Sequence, residues 1–96
     1  MLSDDLIIEY LNYKLAKVKA IKVQKYNLAA QWRDKERVIS TQIFSQLSPD
    51  SQFISYSDCE KSIENYCIET YNCSTYDYNK CIKSINRFKK LKDLGI

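Results

Sequence analysis

The sequence predicts an all-α protein, two antiparallel helical hairpins packed as a small bundle, and three observations carry that expectation. The 96 residues include one Gly and one Pro, so helices run long and a sheet with many turns is hard to build. Apolar residues recur at helical spacing along most of the chain. A composition of 45% hydrophobic and 28% charged residues is that of a folded domain, and the length suits a single one, residues 1–96, rather than two.

Ser3 followed by Asp4 and Asp5 starts the first helix, with a hydroxyl cap and two acids at the positive end of the helix dipole. Ile8, Leu11, Leu15 and Val18 then form an apolar stripe that Ile7 and Ile21 widen. Lysines 14, 17, 19, 22 and 25 follow, where cations suit a helix C-terminus, and the helix is expected to end near Lys25. Asn27 caps a second helix that carries Leu28, Trp32, Ile39, Ile43 and Leu47. With so short a break the pair folds back as a hairpin over residues 1–47, bent at Tyr26. Ser48-Pro49-Asp50 ends the second helix and starts another, with Pro in its first turn. Tyr56, Cys59, Ile63, Cys67 and Tyr71 mark a third helix, and Tyr78, Cys81, Ile85 and Phe88 a fourth. They give a second hairpin within residues 48–96, turning across Asn72–Thr75 with Ser74 or Thr75 as cap.

Several function classes find no support in the residues. The chain has no His for general acid–base work, no Gly-rich phosphate loop and no nucleophile beside an evident base, so no enzyme and no cofactor are expected. Cysteines 59, 67, 73 and 81 lack the close pairs of structural zinc sites, so no metal is expected. They read as reduced, buried small hydrophobes. A second hairpin turning near Ser74 sets Cys67 opposite Cys81, both inward, and leaves Cys73 the most exposed thiol. No basic segment leading into an apolar run opens the sequence, and no apolar stretch is long enough to cross a membrane, so a cytoplasmic protein is expected. The net charge of +3 is mild for nucleic-acid binding. Lysines 14–25 and the Arg87–Lys92 segment keep that reading open. Eight tyrosines are more than so small a core can bury, which leaves some as interface anchors.

The stretch Val23–Arg37 carries the most specific pattern. Tyr26 stands at the turn, Ala29 and Ala30 form a small pair, Trp32 supplies a large apolar group, and Arg33-Asp34 an ionic pair, followed by Lys35-Glu36-Arg37. This pattern resembles the UVR motif, a helical hairpin of bacterial excision-repair nuclease subunits and of the middle region of ClpC-type AAA+ unfoldases, with the charged continuation closer to the latter. Asn27 stands where the family carries Glu, which removes that acid's charge. The resemblance covers about the first half of the chain. It implies association, through Tyr26, Trp32, Arg33 and Asp34, with another protein that is itself helical, as an adaptor or accessory factor of a Clp-type unfoldase or repair complex. In physical terms the two alanines let the helices approach closely, and Tyr26 can fold over the hairpin end. Arg33 and Asp34, as helix neighbours, must find partners elsewhere. Two other readings are a structural component of a larger assembly such as a phage particle, self-association included, and a small basic nucleic-acid-associated protein. A self-complementary apolar stripe marks the first, and Lys89, Lys90 and Lys92 converging with the first helix's lysines mark the second.

Overall fold

The computed structural model describes residues 2–49 and 55–95 as four helices, α1 (Asp4–Lys22), α2 (Tyr26–Leu47), α3 (Tyr56–Tyr71) and α4 (Tyr78–Asp93), with no strand among the described residues. Each helix packs on its neighbour in the chain and α4 returns to α1, so two hairpins close into one small bundle. One core cluster joins Ile7, Tyr10 and Leu11 of α1, Ile39 and Ile43 of α2, Ile63 and Cys67 of α3, and Cys81 and Ile85 of α4. Each fully buried Ile or Leu in it contributes about 1.5–3 kcal/mol of hydrophobic stabilisation. No helix among the described residues is long and apolar enough to cross a membrane.

The α1–α2 turn lies slightly earlier than expected and has a definite geometry. Helix α1 ends at Lys22 rather than near Lys25, because Gln24 adopts the left-handed conformation (φ 60°). The Lys25 amide then donates to the Ala20 carbonyl (2.9 Å) and the Gln24 amide to the Ile21 carbonyl (3.0 Å), the paired bonds of a Schellman stop. Glycine normally takes this position, and here a glutamine bears the left-handed strain of about 1–2 kcal/mol. Tyr26 is therefore the first residue of α2 rather than the bend, Lys25 occupies the cap position and Asn27 lies inside the first turn.

The buried face of α1 is rotated from the expected stripe. Ile7, Tyr10, Leu11, Lys14 and Ala20 are buried, whereas Ile8, Leu15 and Val18 are half-buried and Ile21 is exposed. Lys14 turns inward because acids on α2 and α3 receive its charge. On α2, Ala29, Glu36, Ile39, Ser40, Ile43 and Phe44 are buried, while Leu28 is exposed and Trp32 and Leu47 are half-buried. The start of α1 is anchored by its acids: Ser3 sits at the cap position without a side-chain bond, while Asp4 accepts from Tyr71 and pairs with Lys92, and Asp5 pairs with Lys89. The basic end of α4 thus meets the acidic start of α1, where the helix dipoles favour both charges.

In the second half most of the expected stripes face inward: Cys59, Ile63, Cys67, Tyr71, Cys81 and Ile85 are buried and Tyr78 and Phe88 half-buried, but Tyr56, at the start of α3, is exposed. The caps differ. Pro49 follows the end of α2 but does not open α3, which begins at Tyr56 behind the Ser55 cap; residues 50–54 lie outside the described segments. The Ser55 side chain accepts from the Asp58 amide (3.2 Å) and donates to the Asp58 carboxylate (2.9 Å). Asp77, not Ser74 or Thr75, caps α4 through the Lys80 amide. Ser74 and Thr75 instead bind Glu64 of α3. Glu64 accepts from the Ser74 hydroxyl (2.9 Å), the Thr75 amide (2.7 Å) and the Thr75 hydroxyl, tying the turn to the helix before it.

Partial burial raises the affinity of the Glu64 carboxyl for its proton, but the donors of Thr75 and Ser74 outweigh that and hold it below its ordinary 4.5. Its contribution to stability is therefore complete above about pH 4.5 and is lost as pH falls further. In thermal melts from pH 6 down to pH 3, Glu64→Gln is expected to start less stable and to lose less on acidification. Parallel pH profiles for the two proteins would show that the turn does not depend on this carboxylate.

Candidate functional site

The most exposed apolar surface of the described chain is the tip of the first hairpin. Every residue from Ile21 to Leu28 is exposed, and four of the eight are large and apolar: Ile21 (48% exposed), Val23 (63%), Tyr26 (65%) and Leu28 (39%). The cause lies in the elements beneath. Between residues 15 and 35 the only buried side chains are Ala20 of α1 and Ala29 of α2, one on either side of the turn. Two alanines bring the backbones together but build no core, so larger apolar residues there have little to pack against. The Tyr26 ring accordingly points to solvent rather than folding over the hairpin end.

The sequence-predicted residues divide between two surfaces. Tyr26 and Arg33, seven positions apart, lie on one face of α2, and Asp34 lies beside Arg33; all three are exposed. Trp32 faces α1 instead, half-buried and stacked on Tyr13 (centroids 5.7 Å apart, planes at 29°), with the Lys35 ammonium 4.7 Å from its centroid. The expectation that Arg33 and Asp34 cannot meet is corrected. The flexible guanidinium bends along the helix surface until Nη2 stands 3.6 Å from the Asp34 carboxylate. Such an exposed pair contributes about 0–1 kcal/mol and leaves both groups available to a partner.

Beneath this face lies a charged cluster that periodicity alone does not reveal. Lys14 Nζ is 3.0 Å from Glu36 and 3.3 Å from Glu60, and Lys17 Nζ is 2.7 Å from the other Glu36 oxygen. The Lys14 and Glu36 side chains retain only 9% and 5% of their exposure. Burial opposes the charge on Lys14, but Tyr10 and Glu36 more than offset it and hold the ammonium above its ordinary value. Arg37 lies 4.8 Å from the Tyr56 ring centroid, and Lys17, Arg33, Arg37, Tyr56 and Glu60 surround a cleft of about 140 Å³.

Charge is distributed unevenly. Residues 14–37 hold eight basic and two acidic side chains, while the whole chain carries only +3, so the remainder is net acidic. Lys89 and Lys92 do not converge with the α1 lysines. They pair with Asp5 and Asp4 toward the opposite end of that helix, roughly 14–27 Å from its lysines at 1.5 Å rise per residue. Outside the tip, large exposed apolar residues are spread over three helices, a turn and the end of the chain: Val38, Tyr56, Ile68, Tyr76, Leu91 and Leu94. They form no continuous stripe along one helix.

The second hairpin also differs from expectation at one thiol. Cys67 and Cys81 are fully buried, but Cys73 is buried as well, at 6% exposure. Asn72 adopts the left-handed conformation at the end of α3 (φ 56°), and the chain doubles back so that Cys73 tucks beneath the turn. Among the described residues no cluster of His, Cys, Asp or Glu is arranged to hold a metal ion.

Tyr26→Ala is expected to change folding stability by no more than about 0.5 kcal/mol, since its ring packs on little. Trp32→Ala removes a stacked, half-buried ring and is expected to cost about 1–2 kcal/mol. Urea unfolding of both variants checks this, and equal costs would contradict the division between exposed tip and packed ring. In comparisons with known proteins, no family model matches this chain, and neither does a curated protein or a solved structure.

Proposed function

We propose that this chain is a protein-interaction module that receives an acidic, amphipathic helix of a partner on the tip of its first hairpin. The run of exposed residues Ile21–Leu28 carries the reading: four large apolar side chains interleave with Lys22 and Lys25 at the end of a basic arm. Interface cores draw their affinity from a few large anchors that become buried, while charges around them steer approach and set orientation. Tyr26, Val23 and Leu28 are the anchors, and Lys22, Lys25 and Arg33 the flanking charges. Asp34 sits at the edge, where it discriminates against partners that are not basic at that position. Trp32 acts from beneath by fixing α2 against α1.

The resemblance of residues 23–37 to UVR hairpins supports the same reading and points to an adaptor or accessory role beside a Clp-type unfoldase or a repair complex. Nucleic acid is the less favoured partner. A phosphate backbone has no use for Ile21, Val23 and Leu28, and two lysines of the arm are engaged by Glu36.

Affinity capture from the source cells, with and without nuclease, tests the proposal. The wild-type chain is expected to retain a discrete protein partner. Tyr26→Ser combined with Leu28→Ser is expected to lose at least about 90% of it at unchanged thermal stability, and Arg33→Glu to lose several-fold. Tyr76→Ser, at an exposed ring elsewhere, is expected to retain it. Capture that survives the tip variant, or that nuclease abolishes, would overturn the reading.

A further inference from the structure

The turn between α3 and α4 gathers three of the four thiols. Cys81, in the first turn of α4, is fully buried, and Cys73, beneath the turn, is nearly so. Their sulfurs stand 2.6 Å apart, with the Cys73 thiol also 3.9 Å from the Cys81 carbonyl. Cys67, fully buried on α3, lies close enough to the same sulfur to help push the Cys81 thiol up. All four cysteines are free, and Cys59 lies two turns earlier on α3. The Cys73–Cys81 separation is closer than ordinary packing of two sulfurs and falls short of the ~2.05 Å of a covalent bond. The two sulfurs are thus already adjacent.

We propose that Cys73 and Cys81 form a dithiol modification site that low-molecular-weight disulfides such as oxidised glutathione convert to an internal disulfide. In the first step the Cys73 thiolate attacks one sulfur of oxidised glutathione and releases one glutathione thiol. Cys81 then attacks the Cys73 sulfur of that mixed disulfide and releases the second. Each cysteine gives up one proton, and the two electrons lost by the pair reduce the glutathione. The bond closes a short loop, residues 73–81, and joins the turn to the first turn of α4. In the closed structure, burial and the neighbouring Cys81 push the Cys73 thiol up to about 12, so attack proceeds through local opening of the turn. The Glu64 bonds to Ser74 and Thr75 are the latch on that opening. Cys67 is the sulfur left over.

The experiment uses the purified full chain in graded ratios of oxidised to reduced glutathione. The readouts are intact mass, and peptide mapping with chymotrypsin and trypsin, whose cuts after Tyr71 and Lys80 separate the three thiols. The wild type is expected to lose two hydrogens and to link the Cys73 and Cys81 peptides, with its melting temperature raised by about 5–15 °C. Glu64→Gln is expected to speed the reaction several-fold and Cys59→Ser to leave it unchanged. A Cys67–Cys81 link in the wild type, glutathione adducts without an internal bond, or unchanged mass under the most oxidising ratio would each overturn the proposal. These readouts are made on the wild-type chain, so they hold even if Cys73→Ser or Cys81→Ser fails to fold.

Discussion

The ammonium of Lys14 sits where α1, α2 and α3 meet, held between Glu36 and Glu60, and the arrangement of the first hairpin follows from that contact. Removing two charges from water is costly, and the attraction regained in a protein interior repays it only with good geometry and further partners. Glu36 has such a partner in Lys17, so each of its oxygens meets a cation. A lysine that must reach α2 and α3 together fixes the rotation of α1. With Lys14 inward, Ile7, Tyr10 and Leu11 are carried into the core and Ile8, Leu15 and Val18 to its margin. The pair is thus better understood as setting register than as adding stability.

The cluster also divides the molecule. On one side, toward the start of α1, four helices share a core, and the acids of α1 close it by binding Tyr71, Lys89 and Lys92. On the other side the first hairpin continues as a two-helix arm with alanines at its buried positions. An arm without a core of its own must leave its large apolar residues in water, and these are the residues a partner would cover. The second hairpin has its own organising contact in Glu64, which orders the turn that brings Cys73 under α4.

Much of this was legible in the residues, and what was not has identifiable causes. The four helices, both hairpins and the inward faces of α3 and α4 follow from spacing, because Cys, Ile and Tyr recur there without competing charges. The face of α1 did not, since a periodicity that counts lysine as polar turns Lys14 outward. Its C-terminal end was obscured because Gln24 does the work of a glycine. Spacing alone misplaces Cys73, because distance from a turn does not say which way a left-handed Asn72 sends the chain. At the candidate site spacing accounts for Arg33 and Asp34 at the surface, whereas Tyr26 turns to solvent instead of folding over the hairpin end. The inward stacking of Trp32 and the Arg33–Asp34 contact depend on side-chain reach that spacing does not encode.

A double-mutant cycle on the buried pair tests the central claim most directly, with Lys14→Met, Glu36→Leu and their combination compared by urea unfolding. Losing Glu36 leaves the buried Lys14 with the half-exposed Glu60 as its one carboxylate beside the Tyr10 ring, so that variant is expected to lose about 3–5 kcal/mol. Losing Lys14 leaves Glu36 paired with Lys17 and is expected to cost clearly less. The double variant is expected to recover most of the Glu36→Leu loss. Equal single-variant costs that simply add in the double variant would show that the two charges are not coupled and that the hairpin's register is set elsewhere.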